Sequence, residues 1–241
     1  MQISIMQPTY LPWLGYFDLI DQSDIFVFLD DVQFVKQSWQ NRNKIKIPTG
    51  WTWLTIPVCR NYRQKILETR INYATKWNEK HFKSIYYNYH SATFYNSFKD
   101  RLEKIYSLPH DFLIDFNITI IRWFCEELGI RSQFIRSSEL SANGTKTERL
   151  LNICQELHAD NYLSPLGSST YIEKNNLFND SGIVLKYQHF EHPQYSQLMG
   201  NFIPHLSTLD LMLNHGPDSL PIIRSGRRES FTNRQNVETH A

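Results

Sequence analysis

The stretch QISIMQPTYLPWLGYFDLIDQSDIFVFLDD, residues 2–31, changes its local preference three times and so predicts a β–loop–α–β unit. Gln2 to Met6 alternate polar with apolar side chains, the period of a short strand. Pro8 and Pro12 punctuate the loop that follows. Leu14 to Ile20 suggest a helix, and Asp24 to Leu29 form a compact buried-strand signal that ends on Asp30 and Asp31. A strand, a helix and a second strand in this order usually open a parallel sheet, because the crossover helix returns the chain to the same edge direction.

Working outward, Arg42–Ile47 and Trp51–Val58 read as two strands about a Pro48-Thr49-Gly50 turn, and Lys65–Ile71 as an extension of that smaller sheet. From Trp77 to Gly129 the pattern is mostly helical in three segments, the last running from Phe112 to Leu128 with Gly129 as a natural stop. Alternation then returns. Gln133–Arg136, Asn161–Leu163 and Gly182–Tyr187 read as strands, and Thr145 with Glu148 forms a capping box ahead of a helix. Leu206–Leu213 suggests a final helix. The expected architecture is an α/β domain over residues 1–224, with a parallel or mixed sheet, Rossmann-like βαβ units and a largely helical insertion over 73–129. Residues 225–241 are polar and aperiodic, and a flexible tail is expected there.

Composition narrows the chemistry. The 241 residues are 41% apolar, enough for a buried core, and the formal net charge is +1, so no global charge favours nucleic acid or an anionic membrane. Cys59, Cys125 and Cys154 are isolated and lack metal-ligand spacing, which fits a reducing compartment. No basic leader with an apolar run opens the chain and no apolar stretch is long enough to span a bilayer, so a cytoplasmic protein without membrane insertion is expected.

Four clusters carry candidate chemistry. In the first loop, Gln7, Tyr10, Gly15 and Tyr16 border a helix start, where Gly15 permits close backbone approach and the first amides favour anionic groups. Asp30 and Asp31 sit where ligands collect in open α/β sheets, and a carboxylate there can bind an amine, a hydroxyl or a metal ion, or act as a general base. The run from Lys36 to Lys44 combines Trp39 with Asn41, Arg42, Asn43 and Lys44: a flat apolar surface, amides for hydroxyl groups, and cations for phosphate. Ser164 and Gly167 follow a short strand, in a loop whose backbone amides can take phosphate or simply turn the chain. Further on, His192 is a candidate base. No cluster has the spacing of a structural metal site, and no metal is expected.

Together these segments resemble the WbqC-like family. The resemblance runs through Gln7-Pro8, Tyr10, Pro12, Gly15-Tyr16-Phe17, Asp30-Asp31, Phe34, Trp39, Asn41-Arg42-Asn43, Trp51, Leu54 and Ile56-Pro57. It continues with Trp77, His81, Thr147-Glu148-Arg149-Leu150, Tyr162-Leu163-Ser164, Gly167 and Tyr171. It closes on Tyr187, His192-Pro193, Tyr195, Gln197, Phe202, Pro204, Leu206-Ser207, Leu209-Asp210-Leu211 and Asn214. Ser164-Pro165 departs from the family pattern, in which a glycine follows the serine. The first loop is also similar to the nucleotide-binding loop of class I aminoacyl-tRNA synthetases, but Trp13 and Tyr16 replace both phosphate-stabilising histidines.

The resemblance implies an enzyme of bacterial surface-polysaccharide (O-antigen) biosynthesis that transfers an aminoacyl (glycyl) or acyl group to the amine of a nucleotide-linked amino sugar. In that reading Asp31 or His192 is the base, and Arg42 and Lys44 hold the nucleotide diphosphate. Trp39, Asn41 and Asn43 recognise sugar or base, and Tyr10 and Tyr16 line the pocket. The acyl donor is left open between an acyl carrier, charged tRNA and an acyl-adenylate. Two alternatives accompany it: an ATP- and magnesium-dependent nucleotidyltransferase or ligase, with Asp30 and Asp31 on the metal, and a non-catalytic sugar-nucleotide binding protein. General nucleic-acid binding is not expected.

Overall fold

A computed structural model describes residues 1–59, 61–172 and 176–232. The opening stretch forms β1 (Gln2–Met6), α1 (Leu14–Asp21) and β2 (Ile25–Phe28), and the two strands pair in parallel with Ile3 beside Ile25 and Met6 beside Phe28. Between β2 and the next strand of this sheet lie a hairpin, β3 (Arg42–Ile47) with β4 (Gly50–Thr55), and three helices, α2 (Trp77–Tyr89), α3 (Tyr95–Ser107) and α4 (Leu113–Leu128). Gly129, at φ 73°, adopts the left-handed conformation that ends α4. Then follow β5 (Gln133–Arg136), α5 (Lys146–Glu156), β6 (Asn161–Ser164), the single turn α6 (Ser169–Ile172) and β7 (Val184–Phe190). The described chain closes with α7 (Thr208–His215), α8 (Ser219–Ser225) and β8 (Arg227–Phe231).

The sheet runs β5-β2-β1-β6-β7-β8, parallel throughout except for β8, which is antiparallel to β7. Numbered within this sheet alone the order is 3-2-1-4-5-6, that of doubly wound α/β proteins, whose strand order reverses between the first and fourth strands. Here the reversal falls between β1 and β6. Alternation divides the side chains between two cores. Ile3, Ile5, Ile25 and Val27 face Leu150, Ile153 and Cys154 of α5. On the other face Phe26 and Phe28 join Phe17 of α1 and Phe124 of α4, with the Phe17 and Phe124 rings 5.1 Å apart. Each such side chain, fully buried, contributes roughly 1.5–3 kcal/mol. The capping box of Thr145 and Glu148 starts α5 as its spacing predicts.

Two segments depart from expectation. Lys65–Ile71 does not extend the small sheet: the Glu68 carboxylate accepts from the Lys65 amide at 2.9 Å, and Ile66–Glu68 curls into a 3-10 turn. Isolated bridges, Gln33 to Lys65, Val58 to Ile71 and Arg70 to Phe112, and single backbone bonds such as the Ile66 amide to the Val32 carbonyl at 2.9 Å tie it to neighbouring chain in place of a ladder. The segment expected as a polar tail begins instead with the end of α8 and an edge strand, and residues 233–241 lie outside the described residues. Composition misleads here because the charged side chains have buried partners. Arg227 Nε donates to Asp18 Oδ1 at 2.7 Å and its other arm pairs with Asp21, which also receives Arg224 at 2.8 Å. Burial raises the pKa of Asp18 despite Gln188 and Arg227. Asp21 also pays a desolvation cost, but Arg224 and Arg227 outweigh it and lower its pKa. Among the described residues no helix is long and apolar enough to cross a membrane.

Candidate functional site

All the parallel strands end on one rim. At the reversal point, where β1 leads into Gln7 and β6 into Pro165, a cleft of about 540 Å³ opens. Trp13, Trp39 and Phe190 supply aromatic walls, Gln7, Gln40 and Gln188 supply amides, and the backbone of Leu166–Ser168 forms one edge. Past Trp13 and Trp39 lies a smaller lobe of about 280 Å³ bordered by Tyr16, Asn43 and His205. The described residues lining both spaces include amides, hydroxyls, imidazoles and indoles but no Asp, Glu, Lys or Arg. Such a lining suits a ring bearing hydroxyl groups, and offers an ammonium ion no counter-charge.

The lining is held by bonds from outside it. Gln40 Nε2 donates to Gln7 Oε1 at 2.7 Å while Gln40 Oε1 accepts from the Val35 amide at 2.8 Å, so both amide orientations are fixed. Asn117, from buried α4, donates to the Gln40 carbonyl at 2.8 Å. Gln188 Nε2 lies 2.9 Å from the Gly15 carbonyl and 2.7 Å from Asp18 Oδ2, anchoring β7 to α1. The loop before α1 is stitched by Asn43 Nδ2 to the Leu11 carbonyl at 2.6 Å, the Thr208 amide to the Pro12 carbonyl at 2.9 Å, and a bridge between Trp13 and Ser207. Leu11 (φ 45°) and His205 (φ 57°) sit in the left-handed region, which L residues seldom enter and which these bonds enforce.

Trp13 decides what Gly15 is for. A Cβ at residue 15 would lie 2.4 Å from the Trp13 ring, so the absent side chain makes room for the indole. The ring therefore lies over the start of α1, where a doubly wound fold can seat a phosphate. Behind Trp13 stacks His192, the ring centroids 6.3 Å apart at 14°. His192 Nδ1 lies 3.0 Å from the Pro193 carbonyl, which can only accept, so the proton is on Nδ1 and the lone pair on Nε2. Nε2 is buried without a hydrogen-bond partner among the described residues. Burial, reinforced by His205, pushes the His192 pKa down to about 4. Two other imidazoles do line the cleft. His205 borders the small lobe, its pKa lowered by partial burial and by Lys44, and His189 borders the larger one.

The structure distributes the sequence candidates unevenly. Gln7, Trp39 and Gly167 line the larger cleft, Tyr16 and Asn43 the smaller lobe. Tyr10 does not reach either: it is fully buried, 2.9 Å from His81 Nδ1 and 2.6 Å from the Tyr106 hydroxyl. Asn41 is turned inward to the Ile56 carbonyl at 2.9 Å. Ser164 is buried against Ser168, whose hydroxyl donates to the Pro165 carbonyl at 2.6 Å. Gly15 serves Trp13, as above. Asp30 is fully buried and accepts from Arg136 Nε at 2.7 Å, Ser138 Oγ at 2.8 Å and the Ser138 amide at 2.9 Å. Asp31 binds Arg149 at 2.6 Å and Ser137 Oγ at 2.6 Å. These carboxylates join the ends of β2 and β5 to α5, and their engaged oxygens do not fit a magnesium site. Arg42 and Lys44 stand outside the cleft, on the hairpin: Arg42 lies over the Trp53 ring at 4.2 Å and Lys44 over Trp51 at 4.2 Å.

Sequence reading passed over Gln40, Gln188 and His205. Gln188 lies within a strand whose alternation marks it only as a polar position, and His205 is one of several polar residues between Tyr195 and Leu206. Only the crossover of the chain brings them beside β1.

Comparison with known proteins bears on most of the chain. The WbqC-like protein family matches residues 7–222. A protein of Mycobacterium tuberculosis (strain ATCC 25618 / H37Rv), described as uncharacterized protein Rv1507c, is 35% identical over 231 residues, covering 94% of this chain and 99% of that protein. No solved structure matches.

Proposed function

The chain belongs to the WbqC-like protein family, and from that premise we propose that it transfers an aminoacyl or acyl group to the amine of a nucleotide-linked amino sugar held in the cleft. The observation that carries this reading is the lining: aromatic and hydrogen-bonding, at the reversal point of the sheet, and free of charged side chains among the described residues. A sugar ring finds indole faces and paired amides there. Its amine finds no carboxylate to hold it as an ammonium ion, and nearby Lys44 disfavours that charge further. The amine therefore enters as the neutral nucleophile that acyl transfer requires.

In the reaction the amine nitrogen attacks the acyl carbonyl and a C–N bond forms. The bond from that carbon to the donor's leaving group breaks, and the proton lost by nitrogen is returned to the leaving group. His205 is the base in this reading, because it borders the lobe and its lowered pKa keeps it neutral near pH 7. His192, 4.9 Å from His205 between ring centroids and shielded by Trp13, is a positioning residue. Lys44, the cation that acts on His205, receives the nucleotide's phosphates at the mouth. Cytoplasmic nucleotide-linked sugars destined for surface polysaccharide such as O-antigen are the fitting substrates.

The test is to incubate the protein with nucleotide-linked amino sugars and a panel of acyl donors and to follow product mass. A product heavier by one amide-linked acyl group is expected. Magnesium-dependent pyrophosphate release would replace this reading by nucleotidyl transfer. Tight sugar-nucleotide binding without turnover for any donor would make the protein a carrier of the sugar.

A further inference from the structure

From Val32 to Leu67 the chain contains seven Lys or Arg residues and no Asp or Glu, in a protein whose formal net charge is only +1. Lys46 is buried and Arg60 lies outside the described residues, which leaves Lys36, Arg63 and Lys65 exposed and Arg42 and Lys44 half-buried along this stretch. The ion pairs formed among the described residues use other cations. Interleaved with the charges is a row of indoles. Trp39, which lines the cleft, lies 5.6 Å from Trp53, and Trp53 lies 5.5 Å from Trp51 near the hairpin tip. Arg42 rests on Trp53, and beyond the loop Arg63 rests on Tyr62 at 5.1 Å. The two loops that carry Lys36 and Arg63 are joined by the bridge between Gln33 and Lys65 and by the Phe34 amide donating to the Gln64 carbonyl at 2.9 Å.

We infer that this face binds the single-stranded 3′ end of an RNA and leads its terminal ribose to the cleft. A row of aromatic rings with cations beside them is the usual chemistry for unpaired nucleotides, whose bases stack while the phosphates meet Lys and Arg. The row ends in the cleft, so a strand lying along it presents its terminus there. An anionic bilayer also attracts cations and tryptophans, but it needs the rings outermost. Here Arg42 and Lys44 stand among the rings rather than behind them, while Trp39 and Trp51 stay 48% and 42% exposed for stacking. What the RNA carries rests on the acyl-transfer reading: an aminoacyl ester on the terminal ribose would be the donor. Its ester C–O bond would break as the amide C–N bond forms, and the ribose hydroxyl would take back the proton. The affinity of this face for a single strand does not depend on that reading, whereas the choice of the 3′ terminus does.

The experiment titrates the full chain with a short single-stranded oligoribonucleotide ending in CCA, reading tryptophan fluorescence, and sediments it with phosphatidylglycerol–phosphatidylcholine vesicles in parallel. Expected are quenching by the oligonucleotide with a log affinity against log salt slope of about −3 for four or five phosphate contacts, and no vesicle binding. Lys36→Ala with Arg63→Ala, neither of which lines the cleft, should weaken oligonucleotide binding while sugar-nucleotide affinity holds. Trp51→Ala, at an exposed ring outside the cleft lining, should weaken it roughly tenfold or more, with circular dichroism confirming that each variant is folded. No quenching, binding that survives all these substitutions, or vesicle binding without oligonucleotide binding would overturn the inference. Failure of acyl transfer alone, with RNA binding intact, would instead strike the proposed reaction.

Discussion

At the scale of single residues, Gly15 and Trp13 form one unit. Adding a methyl group at residue 15 drives it into the indole, and overpacking of this kind costs roughly 1–3 kcal/mol. Gly15→Ala should therefore lower the urea midpoint, and combining it with Trp13→Ala should recover most of that loss. Simple additivity in the double mutant would show that the two do not share the space. His205 gives a kinetic prediction. His205→Gln should reduce kcat about 100-fold or more while changing KM little, as expected for a lost base. Because the His205 pKa lies below its ordinary value, the wild-type rate should be level near neutrality and fall only on the acid side. A His205→Gln enzyme that keeps its rate and its pH profile would assign the proton transfer elsewhere.

At the scale of elements, the carboxylates after β2 act as a joint. Asp30 is buried and bonded to Arg136, the last residue of β5, and to Ser137 and Ser138 in the turn that follows it. Asp30→Asn should destabilise the protein by about 3 kcal/mol, since it leaves a charge partner and several donors without their carboxylate. Well below its melting temperature the variant should retain turnover; loss of kcat with unchanged stability would return Asp30 to the chemistry. The strands and helices around this joint were legible because their periods are local, as in Gln2–Met6 and the capping box at Thr145. The partner of Asp30 was not, because Arg136 is 106 residues away and a pair of adjacent acids reads alike as metal ligand, base or salt bridge. Trp39 and Gln7, singled out by their type and position, do line the cleft. Tyr10 could not be told apart from them, since only the packing of α2 and α3 shows that its hydroxyl meets His81 and Tyr106.

At the scale of the whole molecule, two imidazoles, buried His81 and half-buried His192, set the acid limit of stability. Burial pushes the pKa of His81 down to about 3 and that of His192 to about 4, against 6.5 for an unperturbed histidine. Folding thus favours their neutral forms. The resulting stability is fully present above about pH 6.5 and is lost as pH falls toward those lowered values. Urea unfolding at pH 5 should show His81 alone weakening the fold by about 2 kcal/mol relative to pH 7.5. His81→Phe should remove most of that difference, and an unchanged slope would mean that other groups dominate. Asp18 and Asp210, whose pKa values burial raises, work in the opposite sense, giving stability at low pH that declines as they ionise.

The strand order also governs how the molecule comes into being. β1 lies inside the sheet, yet one neighbour follows it almost at once and the other, β6, begins only at Asn161. On the ribosome, at roughly 5–20 residues per second, an open β1 edge persists for about 7 to 27 seconds after β2 has emerged. Through that interval the nascent chain exposes unpaired backbone beside Ile3 and Ile5, and Asp18 still awaits Arg227. Vectorial synthesis thus makes the first thirty or so residues a natural client for chaperones until the second half of the sheet arrives.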